Sequence, residues 1–121
     1  MPRVVHFEIA AKDPERAGKF YSKVFDWKIN KWDGGPYWMA TTGDKSQMGI
    51  DGGIMKPMKE IPSIVNTIDV PSVDEYVKKI KKGGGDVVKP KWAVPTVGYM
   101  AYCKDTEGNI FGIMEMDEKA K

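Results

Sequence analysis

Hydrophobic and polar residues follow periods along the first part of the chain that predict a strand and then an amphipathic helix. Residues 4–11 are apolar and β-branched, which predicts a strand, and Asp13 followed by Pro14 predicts the cap and first turn of a helix. The apolar residues of that helix recur at spacings of three and four, so we expect one stripe packed on a sheet and a helix end near residue 25. The stripe consists of Ala17, Phe20, Tyr21, Val24 and Phe25.

Three strands are predicted after the helix. Residues 27–32 alternate and end at the turn formed by residues 33–36, which contains two glycines and a proline. Residues 37–42 form the next predicted strand, and residues 47–54 form a fourth strand that is interrupted by glycine. The first half of the chain is therefore predicted to be βαβββ.

The second half repeats this order after a linker at residues 56–62, where two prolines suit a surface connection. A strand at residues 63–70 precedes a helix that starts at residues 71–74 and is stopped by Gly83, Gly84 and Gly85. Further strands begin at residues 86, 98 and 109, and residues 90–97 are expected to form a long loop because they include two prolines.

Matching residues support an internal repeat. Met39-Ala40 corresponds to Met100-Ala101, and Met48-Gly49-Ile50 corresponds to Phe111-Gly112-Ile113. One unit alone would expose one face of a small sheet, so two units are expected to share a core. We therefore predict a single α+β domain of 121 residues, with repeats at about 3–55 and 63–117 and a curved mixed sheet around a ligand-binding cleft.

Composition narrows the class of protein. A formal charge of +2 is too small to indicate a nucleic-acid partner, and the lysines at 78, 79, 81 and 82 suit the solvated face of a helix. The single cysteine, Cys103, is expected to be a small buried hydrophobic residue. No apolar run reaches the roughly 20 residues that cross a bilayer, and the first residues lack the apolar core of a signal peptide, so a cytoplasmic protein without a membrane partner is expected.

Aromatic residues are the candidates for binding a ligand. The chain has more aromatic surface than two thin helices need to cover a sheet, so some aromatic residues are expected to line a cleft and stack on an apolar or aromatic ligand. The residues concerned are Trp27, Trp32, Trp38 and Trp92, with Tyr37, Tyr99 and Tyr102. The ligand-binding candidates chosen among them are Trp32, Trp38, Trp92 and Tyr102. The alternative is that they are core or subunit contacts. Trp92 is the best candidate because it lies in the proline-rich segment, where a lid could form.

Three segments carry short motifs: Val5-His6-Phe7-Glu8-Ile9 in the first strand, Asp13-Pro14-Glu15-Arg16-Ala17 followed by Phe20-Tyr21 in the first helix, and Asp105-Thr106-Glu107-Gly108-Asn109 in the final hairpin. They resemble the corresponding segments of the glyoxalase, bleomycin-resistance and dioxygenase superfamily, also called the vicinal oxygen chelate superfamily. The resemblance implies two βαβββ repeats, a homodimer, and a divalent metal (Zn, Ni, Mn or Fe) held by His or Glu on the first and last strands of each repeat.

The metal ligands implied by this resemblance are incomplete. His6 lies where the first-strand ligand is expected, but the matching place in the second repeat falls near Val65 or Asn66. The last-strand glutamate would fall at Gly112, and Glu115 lies three residues further on, on the opposite face unless a bulge intervenes.

In the first repeat, the fourth strand offers only Asp51 as a ligand. We therefore expect a degraded site, with His6 and Glu115 as the metal-ligand candidates and no metal as the leading expectation.

His6 and Glu8 form a second candidate centre. Alternation along a strand places both on one face, and a neighbouring carboxylate would raise the pKa of the imidazole, so the pair could act as a catalytic general acid and base. The alternative is that His6 is a hydrogen-bonded core or pocket residue and that Glu8 faces solvent or a positive partner.

Two main hypotheses for function follow. The first is a small-molecule-binding protein of the bleomycin-resistance type, with an aromatic-lined cleft and no chemistry. The second is a metal-dependent lyase, isomerase or ring-cleaving dioxygenase of the glyoxalase type. A third possibility is an accessory domain whose cleft has lost its function.

Overall fold

The computed structural model describes residues 2–121, which form two compact units. The N-terminal unit spans Val5–Val65, and the C-terminal unit comprises Asn66–Lys121 with residues 2–4. Each contains the predicted βαβββ order, which confirms the α+β class and the two repeats. The elements are β1 (Val4–Ala10), α1 (Pro14–Phe25), β2 (Lys28–Lys31), β3 (Tyr37–Thr41) and β4 (Asp51–Met55), then β5 (Ile64–Asp69), α2 (Val73–Lys82), β6 (Asp86–Val94), β7 (Gly98–Lys104) and β8 (Ile110–Met116).

The N-terminal unit forms a mixed sheet in the order β2-β3-β4-β1, in which β1 and β4 are parallel and the other pairs are antiparallel. Helix α1 packs on one face of this sheet, where Gly18 meets Ile29. The helix starts as predicted, because the carboxylate of Asp13 accepts a hydrogen bond from the backbone N–H of Arg16 at 3.1 Å and Pro14 occupies the first turn.

The predicted contact stripe of α1 is wrong for three of its residues. Phe20, Val24 and Phe25 are 57%, 54% and 57% exposed, whereas Gly18 is buried. A Cβ at Gly18 would lie 2.9 Å from a methyl carbon of Ile29, so the glycine allows the helix backbone to approach the sheet closely. Phe20 and Phe25 instead contact the ring of Tyr21.

The C-terminal unit forms the equivalent sheet in the order β5-β8-β7-β6. Its core contains Val70, Val73, Ala101, Cys103 and Ile113, with residues of α2 packed against it. The hydroxyl of Ser72 caps α2 by accepting a hydrogen bond from the N–H of Glu75 at 3.2 Å, and the helix ends before Gly83 as predicted.

The predicted loop at residues 90–97 is largely wrong, because β6 continues to Val94. The pairing with β7 shifts register between Val87 and Lys89 and again between Lys89 and Trp92. These irregularities admit Pro90, which cannot donate a backbone hydrogen bond, into an edge strand. Trp92 therefore lies in a strand and not in a lid loop.

Strand β4 begins four residues later than predicted, at Asp51. The carboxylate of Asp51 accepts hydrogen bonds from the N–H and the hydroxyl of Thr42, at 2.8 and 3.3 Å, and the same hydroxyl donates to the carbonyl of Ile50 at 2.7 Å. These bonds close the loop between β3 and β4, so residues 47–50 lie outside the sheet.

The two repeats are related by a shift of 59 residues. The helix caps Asp13 and Ser72 are 59 residues apart, and the parallel pair Glu8–Gly53 in the first repeat corresponds to Thr67–Gly112 in the second. Gly112 is therefore equivalent to Gly53. The predicted match between Gly49 and Gly112 is wrong because Gly49 precedes β4.

The match of Met39 with Met100 is also displaced. Met39 pairs with Gly53 on β4, whereas the residue that pairs with Gly112 on β8 is Tyr102. The strand order repeats, but the lengths of the β3–β4 and β7–β8 connections differ, so matches read along the sequence slip by a few residues.

Candidate functional site

The predicted catalytic residues of the N-terminal unit lie on one face of its sheet. It is the face opposite α1, and we call it the His6 face. Strand register and alternation place five residues on this face: His6 and Glu8 on β1, Tyr37 on β3, and Asp51 and Gly53 on β4. The alternation predicted for His6 and Glu8 is thus observed.

Tyr37 is the closest partner of His6. Its hydroxyl lies 2.6 Å from the imidazole Nε2, and the two rings meet edge to edge, with centroids 6.3 Å apart and planes only 15° apart. The phenol reaches across β4 over Gly53, where a Cβ would overlap the tyrosine ring. Glycine at this position is therefore a requirement of the His6–Tyr37 contact.

Trp32 extends this arrangement. Its ring meets that of Tyr37 edge-on, with centroids 6.4 Å apart and planes 80° apart, and its backbone N–H donates to the carbonyl of Tyr37 at 2.8 Å. The structure thus joins the predicted ligand-binding Trp32 to the predicted centre at His6 through Tyr37. Tyr37 was among the aromatic residues expected to line a cleft but was not chosen as a ligand-binding candidate, although a glycine inside a strand is a signal of close approach.

The pKa of His6 is lowered from its ordinary value of 6.5 because burial penalises the charged imidazolium. Glu8 and Asp51 act in the opposite direction, but their attraction is the smaller effect. The expectation that a neighbouring carboxylate would raise the pKa was therefore wrong in its net direction. The half-buried imidazole is held neutral near physiological pH.

Glu8 and Asp51 differ in their surroundings. Glu8 is 5% exposed, which excludes the alternative that it faces solvent. Asp51 is exposed, and its carboxylate is engaged by the hydrogen bonds from Thr42 that close the β3–β4 loop. Asp51 therefore has a structural role, and its carboxylate would have to give up these hydrogen bonds in order to bind a metal ion.

The other predicted aromatic residues lie elsewhere. Trp38 is on the α1 face of β3, opposite to the His6 face, where Lys31 approaches its ring at 6.0 Å. Trp92 and Tyr102 come together in the C-terminal unit, with ring centroids 5.4 Å apart, and Lys89 lies over Trp92 at 4.1 Å. They form an aromatic pair on the face of that sheet away from α2.

Glu115 lies on the α2 side of its sheet. It pairs with Tyr99 in an unbroken register along β7 and β8, so no bulge turns it toward the face of Gly112. Its carboxylate accepts a hydrogen bond at 2.9 Å from the N–H of Val73 at the start of α2. The observed role of Glu115 is to cap a helix N-terminus.

The donor set does not fit a resident metal. Among residues 2–121 no group of three or more His, Cys, Asp or Glu side chains is placed to hold a metal ion. The shift of 59 residues makes Val65 the equivalent of His6 and Gly53 the equivalent of Gly112, so three of these four positions carry no ligating side chain.

A family model described as the Glyoxalase/Bleomycin resistance protein/Dioxygenase superfamily matches residues 3–113. The chain belongs to this superfamily. It is 30% identical over 113 residues to a Mycobacterium bovis protein provisionally named a glyoxylase, and it spans 43% of the length of that relative. It is also 31% identical over 112 residues to a glyoxylase-like domain-containing protein of Didymella fabae, with 88% of each chain covered.

Solved structures show the same fold at low sequence identity. A variant of Streptomyces coelicolor methylmalonyl-CoA epimerase in complex with 2-nitronate-propionyl-CoA is 14% identical, with a TM-score of 0.71 over 100% of this chain and 99% of that one. Methylmalonyl-CoA epimerase from Mycobacterium tuberculosis is 15% identical, with a TM-score of 0.65 over 93% of this chain and 87% of that one. Among residues 2–121, no helix is long and apolar enough to span a membrane.

Proposed function

We propose that this superfamily member binds a small molecule on the His6 face. The observation that carries the proposal is the row formed by Trp32, Tyr37 and His6, in which an aromatic edge, a phenol and a neutral imidazole follow one another. A few convergent polar groups beside aromatic surface are typical of small-molecule sites.

The chemistry of this row indicates the kind of ligand. The imidazole and the phenol supply hydrogen-bonding atoms, while Trp32 and the exposed Met39 on the same face of the sheet supply apolar contact. A ligand with a flat apolar part and a polar oxygen or nitrogen would use both. Trp92 and Tyr102 form a separate aromatic pair within the C-terminal unit.

The test is a screen of small aromatic and acyl compounds by quenching of tryptophan fluorescence, followed by calorimetry on any compound that saturates. His6→Ala and Tyr37→Phe are each expected to weaken binding about tenfold, the effect of one lost hydrogen bond of about 1.4 kcal/mol. Trp38→Phe is the matched control, because Trp38 lies on the α1 face. The dissociation constant of the ligand for this variant should stay within about twofold of the wild-type value. A ligand whose affinity ignores His6 and Tyr37 would contradict the proposal.

Proton transfer is a second candidate function, favoured by the neutral imidazole of His6 and the buried Glu8 on one face. Solvent deuterium exchange into a panel of acyl thioesters and 2-oxo acids, followed by NMR, would measure it. Exchange that is lost in His6→Gln and in Glu8→Gln would support this activity, and exchange equal to that of buffer alone would leave binding as the function.

A homodimer, implied by the resemblance, forms part of the proposal. The exposed Phe20, Val24 and Phe25 of α1 supply apolar surface that a second copy would cover. Light scattering of the purified chain should give twice its mass of 13.6 kDa, and a mass equal to one chain would contradict the dimer.

A further inference from the structure

Gly53 on β4 occupies a position where the resemblance to the superfamily implies a ligating side chain. Gly112 is the position of the last-strand glutamate in the second repeat, and the shift of 59 residues makes Gly53 its equivalent. Gly53 pairs with Glu8 on β1, two residues along from the pair of Asp51 and His6. A side chain at Gly53 would therefore project from the His6 face beside the imidazole.

Tyr37 fills that volume. A Cβ on Gly53 would overlap the ring and the hydroxyl of Tyr37, and the hydroxyl lies 2.6 Å from His6 Nε2. Such a short distance between a hydroxyl and an imidazole nitrogen is that of a well-formed hydrogen bond. The nitrogen is thus engaged by the phenol.

The equivalent position in the second repeat, Gly112, also lacks a carboxylate. A Cβ on Gly112 would lie 2.8 Å from the hydroxyl oxygen of Thr67, which is fully buried and has no hydrogen-bond partner among the described residues. Here a threonine, instead of a tyrosine, occupies the space beside the glycine. Neither repeat retains the carboxylate or the room for it.

We propose that Tyr37 takes the place of a metal ligand in this chain, so that His6 and Tyr37 form an imidazole–phenol centre that binds by hydrogen bonds and not through a metal ion. A neutral phenol is not among the usual ligands of zinc, and transition-metal sites in proteins need three or more donors in fixed geometry. The centre would take an uncharged or weakly acidic ligand group, such as a carbonyl or hydroxyl, that hydrogen-bonds to the imidazole–phenol pair.

The first experiment offers Zn²⁺ or Ni²⁺ alone to purified variants and measures uptake by native mass spectrometry and calorimetry. The wild type and Tyr37→Phe are expected to take up less than about a tenth of an equivalent. The double variant Tyr37→Ala/Gly53→Glu restores both the room and a carboxylate beside His6, Glu8 and Asp51. It should take up about one equivalent and bind at least roughly 100-fold more tightly.

Two matched controls isolate the cause. Tyr37→Ala alone opens the volume without adding a donor and should remain metal-free, and adding His6→Ala to the double variant should abolish the gain. One equivalent of metal on the wild type that disappears in His6→Ala would overturn the proposal. A folded double variant that binds no better than the wild type would overturn it as well.

A second measurement holds even if the double variant fails to fold. His6 is the single histidine of the chain, so a long-range ¹H–¹⁵N spectrum shows one imidazole. Tyr37→Phe is expected to move its Nε2 resonance, whereas Zn²⁺ should leave the wild-type resonances unchanged. A stoichiometric shift with Zn²⁺ would overturn the imidazole–phenol centre without affecting small-molecule binding, so the two proposals fail separately.

Discussion

Gly53 controls the geometry of the candidate site at the scale of a single residue, because the ring of Tyr37 lies where its Cβ would be. We expect Gly53→Ala to displace that ring from His6 and to destabilise the fold by roughly 1–3 kcal/mol, the usual effect of overpacking. Urea unfolding measures the change. Gly35→Ala is a suitable control because its Cβ would meet Trp32 at an ordinary 4.0 Å.

A double-mutant cycle makes this prediction specific. In a Tyr37→Ala background the ring is gone, so Gly53→Ala should change the free energy of unfolding by less than about 0.5 kcal/mol. An equal loss of stability in both backgrounds would show that the glycine is needed for its backbone and not for the tyrosine.

His6 is expected to make the folded state less stable as the pH falls. Its folded-state pKa is lower than the unfolded value of 6.5, so the unfolded chain binds the proton more readily. The contribution of the neutral imidazole is therefore present above pH 6.5 and is lost as the pH falls through the folded pKa. Unfolding in urea at pH 7.5 and pH 5.5 should show a drop in the wild type that is smaller in His6→Gln, and equal drops would contradict the assignment.

The sequence predicted part of the site because part of it is local. His6 and Glu8 are two residues apart on one strand, so alternation alone placed them on one face. The partnership with Tyr37 depends on the register of β3 against β4, and that register depends on where the intervening loop ends. Hydrogen bonds between Thr42 and Asp51 fix the end of this loop. The hydrophobic periods of the sequence do not predict these bonds.

The same distinction holds for whole elements. Both helix starts were predicted, because Asp13 and Ser72 cap the first turn through bonds to residues three positions on. The extent of β6 was not predicted, because Pro90 is tolerated only through two irregularities in pairing with a distant strand. The packing stripe of α1 was misassigned because Gly18, and not an aromatic residue, makes the close contact with Ile29.

Glu115 is expected to stabilise the start of α2. Glu115→Ala would leave the buried N–H of Val73 without its acceptor at the start of α2, so we expect a loss of about 1–2 kcal/mol. Glu115→Gln keeps an acceptor oxygen and should lose less. Thermal unfolding followed by circular dichroism measures both variants, and equal stability of Glu115→Ala and the wild type would argue against the capping role.

The chain consists of two repeats that share the same arrangement of helices and strands but differ in the polar side chains they carry. Helix caps and parallel strand pairs recur after 59 residues, whereas the equivalents of His6 and Glu8 are Val65 and Thr67. The arrangement of helices and strands was predictable because it depends on hydrophobic periods that both repeats share.

Cys103 allows the stability of the C-terminal unit to be followed in the intact chain. Its side chain is 0% exposed within the core, and burial raises the pKa of the thiol to about 11, so the reactive thiolate is scarce at pH 8. Alkylation by iodoacetamide should therefore require opening of this core, and its rate, measured by intact mass, should rise with urea as structure is lost.

A pair of valine variants tests this reading of the thiol. Val73→Ala removes two methyl groups from the fully buried core around Cys103 and should speed alkylation about tenfold or more, since a loss of 1.4 kcal/mol is a factor of ten in an opening equilibrium. Val24→Ala, on the exposed side of α1, is the matched control and should leave the rate unchanged. Rapid labelling of the wild type without urea would mean that the core opens without unfolding, and the buried thiol would then report a local motion of β7.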